Sequence, residues 1–131
     1  MTIERSPNLL SDGEFAFFEA LERAVGNYYR IMVKVRLGDL VSVRGSDSQS
    51  VTMRNKTWQK HVDFVLCSFD RVRPVLAIEL DDVSHDSPDR VARDNFVDDC
   101  LRQVGFPILH WRCQRAYDVS KLAAGIRDRI E

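Results

Sequence analysis

The sequence predicts an α/β domain, a central mixed four-stranded sheet with helices on both faces in the order αβββαβα, and three observations predict it. The first is a pair of strand-length runs, Lys60-His-Val-Asp-Phe-Val-Leu-Cys67 and Val75-Leu-Ala-Ile-Glu-Leu-Asp-Asp-Val-Ser-His85, separated by a turn-like break through Arg71-Val-Arg-Pro74. Runs rich in Val, Ile, Leu and Phe with a proline-containing break between them read as a hairpin or meander. The second is that both faces of these runs are apolar apart from a few acids, as expected of central strands covered by helices on either side. The third is a helical pattern beginning near Pro88 and followed by the apolar run Phe106 to Trp111. A helix between two strands is a crossover, so the last strand is expected to lie parallel to its neighbour.

The remaining elements follow in chain order. Residues 1–9, with Pro7, read as a flexible lead-in to a single domain over residues 10–131. Ser11 and Glu14 have capping-box spacing, and Glu14, Phe18, Leu21 and Val25 follow a helical period that Gly26 and Asn27 end. Glu14 therefore points inward, either to cap its own helix or also to reach the acids of the strands. From Tyr28 to Leu37, Ile31, Val33, Val35 and Leu37 alternate with Arg30, Met32, Lys34 and Arg36, the pattern of a half-buried strand with a basic face. Residues 42–60 read as a mobile basic insertion, with a loop over 42–50, a weak short helix from Val51 to Lys60, and Trp58 as its anchor. Pro88 suits the first turn of the crossover helix, whose stripe is Arg93, Val97, Cys100 and Val104 with Phe96 and Leu101, and Gly105 stops it. Tyr117 to Ile130 closes the chain as an amphipathic helix.

Composition excludes several classes. A chain of 131 residues that is 44% hydrophobic holds one core. It lacks an apolar stretch of about 18 residues to span a membrane, and its start lacks the apolar core of a signal peptide, so no membrane partner and a cytoplasmic location are expected. The 3 cysteines, Cys67, Cys100 and Cys113, form no Cys-x-x-Cys pair and read as buried thiols rather than a disulfide or zinc framework. A net charge of -1 conceals a basic stretch: Arg30, Lys34, Arg36, Arg44, Arg54, Lys56 and Lys60 face only Asp39 and Asp47 between residues 30 and 60. That asymmetry allows a polyanion to lie across the basic part and meet the acids.

The acids carry the chemistry. By strict alternation Asp63 shares a face with Val65 and Cys67, and Glu79 and Asp81 share one with Val75 and Ala77. Carboxylates leaving central strands on one side repel one another and are costly to desolvate, and a divalent cation is the natural compensation. For Asp63 or Glu79 taken singly, a backbone hydrogen bond or an ion pair with Arg93 explains the residue as well. For Arg90 and Asp94 a helix-surface pair is the default. His61 and His110 are expected to pack or cap, and Arg112 and Arg115 either contact phosphates or are solvated.

The order of elements, with Asp on the second strand and Glu-x-Asp on the third, resembles the PD-(D/E)XK nuclease superfamily. More narrowly, Lys60-His-Val-Asp-Phe-Val-Leu66, Ile78-Glu-Leu-Asp-Asp-x-Ser-His85, Asp89-Arg-x-x-Arg-Asp94 and Gly105-Phe-Pro-Ile-Leu109 resemble a bacterial family of unknown function placed beside the very-short-patch-repair endonucleases. The likeness runs from Leu9 to Leu122. It implies a restriction-endonuclease-like three-layer core and hydrolysis of phosphodiester bonds, most readily in DNA, with Mg²⁺ or Mn²⁺ as cofactor. By the same likeness Asp63 and Glu79 are metal ligands; Asp81, and Glu14 from its inward place on the first helix, are the further candidates. Asp81 stands where the superfamily has Lys. His85 then serves as proton acceptor, with Asp81 as a further ligand or the group that orients an imidazole. Lys34 and Lys60 are candidates for a relocated lysine, and Lys34, Arg36, Lys60 and Arg93 for nucleic-acid contacts. The nuclease is expected to be one module of a repair, restriction or mobile-element system, and a catalytically silent member of the fold that binds nucleic acid or a partner protein is the alternative.

Overall fold

Local capping decides where the first helix begins. In the structure, a computed structural model that describes residues 1–82 and 88–131 with backbone alone over 88–94, Ser11 accepts the Glu14 N–H at 3.2 Å. The Glu14 carboxylate accepts the Ser11 N–H at 2.8 Å in return. This reciprocal box opens helix α1 (Asp12–Val25). Its fully buried residues are Phe17 and Leu21, with Ala20 and Val25 nearly so, whereas Phe18 is only half-buried. The stripe is thus displaced from the expected Glu14–Phe18 line. The reason is aromatic packing: the Phe17 ring lies 5.2 Å from Phe64 and 5.2 Å, edge-on, from Tyr117.

The chain then forms β1 (Arg30–Arg36), a 3₁₀ turn (Leu37–Asp39), α2 (Ser48–Gln59), β2 (His61–Cys67), β3 (Pro74–Asp81), α3 (Pro88–Gln103), β4 (Ile108–Arg112) and α4 (Val119–Ile130). Helix α2 starts three residues before the expected Val51, because Asp47 caps it by accepting the Ser50 N–H at 2.8 Å. The Arg54 side chain donates to the carbonyls of Val43 and Gly45 at 2.9 and 2.7 Å, which ties the preceding loop to α2. Pro88 opens α3 as expected, and Val97 and Leu101 are its buried residues. Val104 lies beyond its end and is 56% exposed, so it leaves the expected stripe.

Among the described residues the sheet has the order β1-β2-β3-β4, antiparallel from β1 to β3 and parallel between β3 and β4. One face carries a core of Phe17, Leu21, Phe64, Leu66, Ile78 and Leu122, supplied by α1, α4 and the inner strands. The other carries Leu37, Val62, Val65, Ala77, Val97 and Leu101, closed by α3 and the 3₁₀ turn. Helices cover both faces, as the apolar strands required.

Strict alternation fails at one place, and that place forms the site. Ile31 and Val33 pack on the α1 side while Val35 packs on the α3 side. In the partner strand Phe64 and Leu66 face α1 while Val62 faces α3. Residues two apart in a regular strand share a face, so both strands turn over between these pairs. The register, Val33 with Phe64 and Val35 with Val62, puts Lys34 and Asp63 at the turnover. Lys34 has φ 51°, in the left-handed region. For a lysine this costs roughly 1–2 kcal/mol, which the packing of both clusters must over-determine.

Gly125 of α4 tests how closely that layer is packed. A Cβ there would lie 2.8 Å from Trp111 Cζ3. Gly125→Ala gains about 1 kcal/mol of helix propensity but overpacks the indole at a cost of about 1–3 kcal/mol. Urea unfolding is expected to show net destabilisation of about 1 kcal/mol; a stabilised variant would show that Trp111 yields freely.

Candidate functional site

The β2–β3 ladder is paired at Phe64 with Ile78, and one step further along that register Asp63 stands opposite Glu79. There the strands part, and the Asp63 carboxylate takes the place of a ladder acceptor: Leu80 N–H donates to Asp63 Oδ2 at 2.9 Å. Asp63 thus lines a cleft of about 100 Å³ with Gly13, Glu14, Leu80, Asp82 and Cys113, on the α1 side. This corrects the expected grouping of Asp63 with Val65 and Cys67, which lie on the α3 side. The turnover at Lys34 and Asp63 is the cause.

Glu14 does both things that the sequence left open. It completes the capping box and also faces the cleft, where its Oε1 lies 3.8 Å from Lys34 Nζ. Lys34 therefore reaches the acid end of the sheet from the edge strand. Glu79, on β3, is only 4% exposed. Burying a carboxylate to this degree costs several kcal/mol unless charge or hydrogen bonds compensate.

Asp81 turns to the α3 side. His110, level with Glu79 in the parallel register, directs Nδ1 to Asp81 Oδ1 at 3.1 Å and Nε2 to the Asp98 carboxylate at 2.9 Å. The imidazole that Asp81 orients is accordingly that of His110, a residue expected only to pack or cap. The sequence carried one usable signal: Ile108, His110 and Arg112 alternate on β4, and the register sets them beside Ala77, Glu79 and Asp81. Asp98 reads as a plain helix-surface acid, and only tertiary contact identifies its role. Burial pushes the His110 pKa down, but the hydrogen bonds and charges of Asp81 and Asp98 together outweigh it and raise it above 6.5. Two aspartates flanking one imidazole tie α3 to the sheet.

The basic candidates divide. Arg36 stacks over Trp58, 4.2 Å from the ring centroid, and pairs with Asp39 at 3.1 Å. Lys60 follows α2, and its carbonyl accepts the Leu37 N–H at 2.8 Å. Arg112 and Arg115 are exposed. His85 lies outside the described residues, as do the side chains of Arg90, Arg93 and Asp94, so the expected Glu79–Arg93 pair falls there too. Burial raises the thiol pKa of Cys67 and Cys100, which leaves neither poised as a nucleophile. Among the described residues no group of three or more His, Cys, Asp and Glu side chains is arranged to hold a metal ion, and no helix is long and apolar enough to cross a membrane.

A mixed α/β domain with this sheet and an acid-lined cleft at the parting of β2 and β3 is the class that the structure defines. The family model described as "Protein of unknown function (DUF2726)" matches residues 6–130, and the chain belongs to that family. No curated protein and no solved structure matches it.

The His110 clamp has a pH signature. Because the folded pKa lies above the unfolded one, the folded state binds more protons in between. The clamp's contribution is complete below about 6.5 and is lost as pH rises through the folded value. Urea unfolding of wild type and His110→Gln is expected to give a stability difference that is largest near pH 6 and shrinks towards pH 9. A difference that does not vary over that span would mean that the clamped imidazole is uncharged.

Proposed function

We propose that the chain is a Mg²⁺-dependent nuclease domain on a restriction-endonuclease-like core, hydrolysing phosphodiester bonds in DNA. The observation that carries this reading is the meeting of Asp63 and Glu14 in one cleft at the end of the sheet, with Lys34 beside Glu14 and Glu79 one register step beyond the Phe64–Ile78 pair on the adjoining strand. The order of the elements, with β4 parallel to β3 beyond a crossover helix, supports the same core. The likeness of the Asp63 and Glu79 motifs to nuclease signatures, extending over most of the chain, supports the activity.

The donor set fits magnesium. This ion takes hard oxygen ligands, and one or two carboxylates suffice where water and substrate phosphate complete the shell. Asp63 and the nearly buried Glu79 would hold it. When bound, such an ion polarises the phosphoryl oxygen and acidifies a water. The rest falls to the chain. Asp63 stays aimed by the Leu80 N–H. Lys34, level with Asp63, supplies the cation that Asp81 does not, and is better placed for this than Lys60. His85, four residues after Asp81 in sequence, is the proposed acceptor of the water proton.

A silent nucleic-acid-binding module is the competing reading, and one observation favours it: Asp81, in the position of the superfamily's lysine, is taken up by His110. Cleavage separates the two. With Mg²⁺ or Mn²⁺, wild type is expected to cut DNA, and Glu79→Gln to lose at least about 10²-fold in rate. Mn²⁺ binding by calorimetry should weaken in parallel. A wild type that binds no Mn²⁺ and cuts neither single- nor double-stranded DNA or RNA defeats the nuclease reading.

A further inference from the structure

Strand β1 is an edge of the sheet, and Arg30, Met32, Lys34 and Arg36 along it are exposed. Both ends of this row carry an arginine–aromatic stack. Arg30 lies 5.2 Å from the centroid of Phe69, in the β2–β3 turn, and Arg36 lies 4.2 Å from that of Trp58 on α2. Both rings are open to solvent: Trp58 is 54% exposed and Phe69 47%. An open groove of about 530 Å³ runs along the strand, with Met32, Lys34 and Arg36 on one wall, Val72 and Pro74 on the other, and Val65 and Cys67 in its lining. Gly38 permits the indole to lie close against the backbone at the Arg36 end, since a Cβ there would come 2.7 Å from Trp58 Cδ1.

We propose that this groove holds an unpaired nucleic-acid strand, with Trp58 as a base-stacking platform and Arg36 and Lys34 as phosphate contacts; the proposal rests on the nuclease reading and names its substrate as single-stranded. Cations along a groove with aromatic rings close by, here against the arginines at the two ends of β1, are the means by which proteins bind unpaired strands, because every base offers a face to stack. In a duplex those faces are already covered. The lining is apolar, which suits bases, while the cations sit along the β1 wall. The carboxylates paired with Arg36 and Lys34 are Asp39 and Glu14, at 3.1 and 3.8 Å in partly exposed pairs. Such pairs are weak, and a phosphate can displace them. Lys34 belongs to both the groove and the Glu14 end of the acid cleft, so a strand lying along β1 leads its backbone to Asp63. A peptide adding to the β1 edge is the other occupant an edge strand invites. The left-handed residue at Lys34 interrupts the edge, and the cations along it oppose pairing of this kind.

Binding is measured on full-length Glu79→Gln in EDTA, with a labelled unpaired thymidine oligonucleotide, its uridine counterpart, and a blunt duplex of equal mass. Either unpaired strand is expected to bind at least about 10-fold more tightly than the duplex and to quench tryptophan emission. Trp58→Ala should weaken binding by about 5- to 100-fold, and Trp58→Phe should recover most of the loss. Arg36→Gln should lower the slope of log affinity against log salt by about 1. Equal binding of the duplex, or an affinity unchanged in folded Trp58→Ala, overturns the proposal. Separate failure is recognisable. Wild type that cuts duplex DNA while Trp58→Ala binds normally leaves the nuclease reading intact, whereas loss of both binding and cleavage defeats both.

Discussion

Everything at the acid end of this domain depends on the turnover of β1 and β2 at Lys34 and Asp63. Without it, regular alternation would send Asp63 to the side of Val65, against the helix α3 core, and leave Glu14 facing no acid. With it, Asp63, Glu14 and Lys34 meet on the α1 side, and the Leu80 N–H finds its acceptor in a side chain where the ladder ends. The left-handed conformation of Lys34 is unfavourable for any residue with a Cβ. It is retained because Val33 and Val35, each partly buried, pack against two different cores, and that packing offsets the local strain.

The same strand ends carry a second arrangement on the opposite face. Glu79 and Asp81 leave β3 two residues apart, yet Asp81 is drawn to His110 and thence to Asp98 on α3. The clamp fixes the helix that follows the third strand against the fourth. It also divides the acids between a cleft on the α1 side and an imidazole on the α3 side, with Glu79 level with both Asp63 and His110. A single cluster of all three strand acids, which composition and spacing suggest, is therefore not how the fold distributes them. By alternation with Ile78 and Leu80, Glu79 leaves β3 on the side of Ala77, so the proposed ligands Asp63 and Glu79 stand on adjoining strands and approach the sheet's end from its two faces.

The basic stretch is likewise an arrangement rather than a total. Arg54 is spent on the carbonyls of Val43 and Gly45, and Lys56 lies 4.3 Å from the centre of the Phe96 ring. Along the edge stand Arg30, whose Nε donates to the Phe69 carbonyl at 3.2 Å, and Lys34 and Arg36 in partly exposed pairs with Glu14 and Asp39; the two arginines lie on aromatic rings. Membership of DUF2726 covers nearly the whole chain, so the cleft and the groove both lie within the unit that defines the family.

The sequence by itself determined the elements and their order, because period, capping and breakers are local. Ser11 with Glu14, Pro88, and the alternation of Ile31 and Val33 state their structure within a few residues. It also determined that acids on covered strands need explaining. Tertiary structure decided which side each acid faces. Strict period two predicts one face for Asp63, and only the competing demands of two cores, through Val33, Val35, Val62 and Phe64, reverse it. It likewise decided that Phe17 rather than Phe18 enters the core, through rings distant in sequence, and that His110 is clamped. His110 meets Asp81 because a parallel register joins positions about thirty residues apart, and no local pattern encodes a register between strands separated by a helix.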